Sequence, residues 1–106
     1  MSNMYVSEYA ETGRTIQGVV GVGQEPSTTD QTVSFTATAG TSVAFQTSTR
    51  LVRIHVDGLA SVLFGTAPTA SVTSTIANNK RMTAGQTEYF FVPQGMSYKV
   101  SAVTCI

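Results

Sequence analysis

The chain has 106 residues, six Lys/Arg against six Asp/Glu, a formal net charge of zero and only 11% charged residues. With one His and one Cys it lacks the donor sets of the usual metal centres, and it leaves little material for a nucleophile with its base. The absent positive balance excludes the basic footprint of a nucleic-acid-binding protein.

The length fits one domain with a core of its own. About a quarter of the chain is Ser or Thr. Low charge at neutral balance favours association over repulsion. Glu8 interrupts the first ten residues, so no secretory leader is read there. No run approaches the ~20 apolar residues of a membrane span, and no membrane partner is expected. Cys105 stands alone, which rules out a disulfide within the chain.

Residues 1–30 differ from the rest. Met4, Tyr5, Val6 and Tyr9 are mixed with polar residues and hold no sustained period. Gly18, Gly21 and Gly23 follow among valines, and residues 24–30 form a loop signal. This stretch is expected to be an extended arm with one short strand over 15–22. Residues 31–106 are expected to form the β-domain. Over 32–39, Val33, Phe35, Ala37 and Ala39 alternate with polar residues, which is strand period. Gly40-Thr41 reads as a tight turn. Residues 42–47 then put Val43 and Phe45 inward, which makes a hairpin.

Residues 51–57 are the most regular strand. Val52, Ile54 and Val56 share one face, and Arg53, His55 and Asp57 the other. Residues 60–64 alternate Ala60, Val62 and Phe64 against Ser61 and Leu63. Residues 70–80 are polar and expected to be exposed. Residues 88–92 carry Phe90 on one face and Tyr89 and Phe91 on the other, which suggests a central strand or one covered by a partner. Pro93-Gln94-Gly95 reads as a turn. Residues 97–105 set Tyr98, Val100 and Ala102 against Lys99, Ser101 and Val103. Six to eight short strands without helical period predict an all-β fold: a small antiparallel sandwich, jelly-roll-like, or a barrel.

Candidate chemistry is sparse. Gly18-Val19-Val20-Gly21-Val22-Gly23 lacks the Gly-Lys-Ser/Thr of a phosphate loop and the Gly-x-Gly-x-x-Gly of a dinucleotide fold. His55 and Asp57 lie on one strand face, but a triad needs a placed Ser and an oxyanion hole as well. No catalytic residue, cofactor or metal is therefore assigned. The residues expected to meet a partner are Tyr5, Tyr9, Val19, Val20 and Val22 in the arm, with the cations Lys80 and Arg81.

Several segments together resemble a known group. They are Thr49-Arg50-Leu51-Val52-Arg53-Ile54-His55-Val56-Asp57, Phe64-Gly65-Thr66-Ala67-Pro68-Thr69-Ala70, Arg81-Met82, Gln86-Thr87-Glu88-Tyr89-Phe90, Val92-Pro93-Gln94-Gly95 and Tyr98-Lys99-Val100. In order and spacing they resemble small proteins encoded near the capsid genes of tailed bacteriophages. Residues 1–30 are not covered, and residues 71–80 are longer than the group leads one to expect. The resemblance implies a capsid cement or decoration protein with a jelly-roll-like fold, made in the host bacterial cytoplasm and carried on the virion surface. Its partner would be the major capsid protein, and it would act as a homo-oligomer, a dimer or trimer. The competing expectation is a receptor- or glycan-binding module of a head fibre or tail.

Overall fold

The computed structural model describes residues 2–15, 18–71 and 79–105. Among them are ten strands. They are β1 (Ser2–Tyr9), β2 (Thr12–Thr15), β3 (Gly18–Gly23), β4 (Thr29–Phe35), β5 (Gly40–Thr41), β6 (Leu51–Val56), β7 (Ala60–Gly65), β8 (Lys80–Met82), β9 (Thr87–Phe91) and β10 (Lys99–Thr104). Sheet I runs β4-β1-β6-β9, sheet II runs β5-β10-β7-β8, and β2 pairs with β3 alone. Every pairing is antiparallel. The chain is all-β, and from β4 onward it changes sheet at every connection except β7 to β8. Repeated crossing between two four-stranded sheets is jelly-roll-like winding.

The core lies between the sheets. Sheet I contributes Met4, Val6, Val33, Phe35, Val52, Ile54 and Val56, and sheet II contributes Ala60, Val62, Met82, Val100 and Ala102. The period-two faces read for β6, β7 and β10 are those that pack inward. Phe45 enters from the loop before β6. It stacks on Phe64 at 6.4 Å between ring centroids, and Phe64 on Phe90 at 4.9 Å, so three tilted rings close one flank of the sandwich.

The second face of sheet II is covered too. Ser61, Ser101 and Val103 are buried. Ser101 Oγ accepts from the Ala70 amide at 3.0 Å, and Ser61 Oγ donates to Asn79 Oδ1 at 3.3 Å. Ala70, at the start of the stretch expected to be exposed, is therefore buried against this face. Residues 72–78 of that stretch lie outside the described residues.

Three expectations change. The arm does not hold for Ser2–Tyr9, which is an inner strand of sheet I paired with β4 on one side and β6 on the other. Residues 1–30 are thus not a unit apart from 31–106. The single strand over 15–22 is instead the β2–β3 hairpin; residues 16–17 between its strands lie outside the described residues. The second hairpin, over 32–47, does not form. The strand ends at Phe35, Ala37 is exposed, and β5 pairs with β10 in the other sheet. Val43, read as inward, is 74% exposed. Segment 42–50 makes no backbone ladder with β4: its Ser42 and Phe45 amides donate to the Val100 and Tyr98 carbonyls, both at 2.8 Å.

Candidate functional site

The outer face of sheet I carries the aromatic side chains that the fold leaves open. Residues opposite each other in an antiparallel pair share a face, so the register fixes what stands there. Thr32, Tyr5, His55 and Thr87 form one row across the four strands. Asp30, Ser7, Arg53 and Tyr89 form the next. Tyr9, Leu51 and Phe91 form a third. Tyr5 is 40% exposed, Tyr89 38% and Phe91 61%.

Neighbours hold these side chains. His55 Nδ1 and the Thr87 hydroxyl are hydrogen-bonded at 2.7 Å. The Tyr5 and His55 rings lie 6.1 Å apart at 41°. At the end of the face where β1 begins and β6 ends, the Asn3 amide donates to Asp57 Oδ1 at 2.7 Å, and Ser34 Oγ donates to Asn3 Oδ1 at 2.9 Å.

The opposite end is roofed by the β2–β3 hairpin. Tyr9 and Leu51 point outward yet are buried, because Gly23 of β3 sits directly on the Tyr9 ring. A Cβ on residue 23 would collide with that ring, so only Gly permits the approach. The Tyr9 hydroxyl donates to Glu25 Oε2 at 2.8 Å. Burial first, and then the Glu25 carboxylate, push the Tyr9 phenol up to about 12.

The expected partner residues separate. Tyr5 stands on the open face of sheet I. Tyr9 is buried beneath the hairpin, so it positions β3 and has no exposed ring to offer. Val22 is 45% exposed on β3, close to this face. Val19 and Val20 lie in β3, and their side chains lie outside the described residues. Lys80 and Arg81 are exposed on β8, the edge strand of sheet II, away from the aromatic rows. Strand β9, expected to be central or covered, is the edge strand of sheet I. Only Phe90 packs on the core, which leaves Tyr89 and Phe91 outside. Phe91 and His55 therefore belong to the candidate surface; the Tyr89/Phe91 face was read as one a partner could cover, but neither Phe91 nor His55 was among the residues expected to meet a partner. The signal was their odd-position register with Tyr89 and Arg53.

Among the described residues, no group of three or more His, Cys, Asp or Glu side chains comes together to hold a metal. No helix among them is long and apolar enough to cross a membrane. Comparison with protein-family models, curated proteins and solved structures returned no match.

Proposed function

We propose that the chain is a structural binding protein, a capsid cement that docks on the outer surface of a major capsid shell through the outer face of sheet I. The observation that carries this reading is the set of Tyr5, Tyr89 and Phe91, exposed on one face fixed by strand register, with Tyr89 and Phe91 adjacent on β9 and Tyr5 on β1 across β6. Exposed aromatic residues gathered on one face, with an Arg among them, are what the cores of protein interfaces use. The resemblance of residues 49–100 to proteins encoded near capsid genes supports a shell as the partner. Many copies on a fixed lattice then gain from effective concentration even when each contact is modest. Catalysis has no part in this reading, and a dimer or trimer on the shell accompanies it.

The test is co-sedimentation with bare shells. Tyr89→Glu with Phe91→Glu alters only exposed positions and should leave the melt intact. Its apparent affinity should fall at least ~10-fold, since two aromatic anchors are lost. Lys80→Ala with Arg81→Ala, on the other sheet, should bind as the wild type does. Full binding by the Tyr89/Phe91 variant would move the contact elsewhere.

One observation favours a second reading. Tyr5 and Tyr89 flank His55 and Arg53, so aromatic surface and hydrogen-bonding groups alternate as they do where a sugar ring stacks. A glycan-binding head-fibre or tail module would show saturable oligosaccharide binding that Tyr5→Ala abolishes, and no affinity for bare shells.

A further inference from the structure

Glu8 is an acidic side chain placed on the inward face of β1, and it is 1% exposed. Its Oε1 accepts two short bonds, from the Thr49 hydroxyl at 2.7 Å and from the Gln46 amide at 2.8 Å. These fasten segment 42–50 to sheet I. Its Oε2 has a single long contact, 3.5 Å from Gln31 Nε2, at the outer limit of a hydrogen bond. None of these partners carries a charge. A buried carboxylate is costly unless a cation or a full set of donors meets it. Here one oxygen is satisfied and the other is nearly bare.

Glu8 also lines a solvent-open depression of about 280 Å³, together with Thr29, Gln31, Val43, Ala44 and Gln46. Of the six, Glu8 alone is buried, while Val43 and Gln46 are exposed, so the carboxylate lies at the floor and Val43 at the rim. Gln31 is already spent on both ends: its Oε1 accepts from the Val43 amide at 3.0 Å while its Nε2 faces Glu8. The volume falls just below the ~300–1,000 Å³ of pockets that enclose a whole small ligand. It suits the head of one side chain.

We propose that this depression is a binding site for a guanidinium or primary ammonium group, received by Glu8 Oε2. A planar guanidinium brings several N–H donors and a charge to an oxygen that lacks both. The site lies on the inner side of β1, so it is separate from the aromatic face and does not depend on the reading of that face.

The test titrates isotope-labelled full-length protein with ethylguanidinium, with acetyl-Gly-Arg-Gly-amide, and with tetramethylammonium, which has the charge but no N–H. Ethylguanidinium or the peptide should shift the Gln46 and Val43 amide resonances saturably, and tetramethylammonium should not. Tighter binding of the peptide identifies a protein side chain as the natural source; tighter binding of ethylguanidinium identifies a free small cation. Glu8→Gln should weaken binding at least ~10-fold, as expected for loss of a charge-assisted bond. Should Glu8→Gln fail to fold, Val43→Tyr at the exposed rim obstructs entry instead and should weaken binding with an unchanged melt. Absent shifts, shifts equal for all three cations, or undiminished binding by both variants would overturn the site.

Discussion

Tyr9 holds its phenol where losing the proton is costly. Its folded value of about 12 stands above the ordinary 10.0 because burial and the Glu25 carboxylate both disfavour phenolate. The contribution is fully present below pH 10. It is lost between pH 10 and 12, where the unfolded chain gives up the proton first. Two pH units of difference correspond to about 2–3 kcal/mol. Urea melts of wild type and Tyr9→Phe at pH 9 and pH 12 should show the wild type losing that much more than the variant. A difference between the two that is independent of pH would show that the hydroxyl is not held as described. Within β6, Ile54 is fully buried and His55 half-buried. Ile54→Ala should therefore cost ~2–5 kcal/mol through a cavity. His55→Ala should cost ~1 kcal/mol or less, chiefly the bond to Thr87. The opposite ranking would mean the strand is turned over.

At the level of elements, β1 and the β2–β3 hairpin make opposite contributions to folding although they are adjacent in sequence. Strand β1 supplies Met4 and Val6 to the core and joins β4 to β6. Removing residues 1–9 splits sheet I, and the cooperative melt should vanish. The hairpin pairs only with itself, and its ends meet where the Gln24 amide donates to the Glu11 carbonyl at 3.0 Å. Replacing residues 12–23 with Asn-Gly, a favoured two-residue turn, should preserve a β-rich circular dichroism spectrum and a cooperative melt at reduced stability. A folded 10–106 fragment, or an unfolded hairpin deletion, would reverse these assignments. The same elements explain what was legible in the sequence. Strands β6, β7 and β10 have an unbroken inward face of apolar residues, and alternation sufficed to read them. Strand β1 escaped because its inward row is Met4, Val6 and then Glu8, a charge where the pattern demands an apolar residue. The false hairpin over 32–47 arose because Ala37 and Ala39 prolong an alternation that the backbone has already left at Phe35. Which sheet a strand joins is a long-range choice, and local period is silent on it. Hence Tyr89 and Phe91 were read on the face opposite Phe90, yet which face is open, and the edge position that leaves it so, came only with the topology.

For the whole molecule, the two sheets pack on one core and have differently finished outer surfaces. The outer surface of sheet II is covered around Ser61, Ser101 and Val103, where Ala70 and Asn79 bond to the two serines, while sheet I leaves its aromatic rows open. A protein that binds only the assembled shell stabilises that state by mass action, and more so as its free concentration rises. On the proposed cement reading, phage particles, bare and fully decorated with this protein, should therefore be compared by the temperature at which they release DNA. Decorated particles should release DNA at a higher temperature, which rises with free protein and falls back with the Tyr89→Glu/Phe91→Glu variant. Equal release temperatures at full occupancy would contradict cementing.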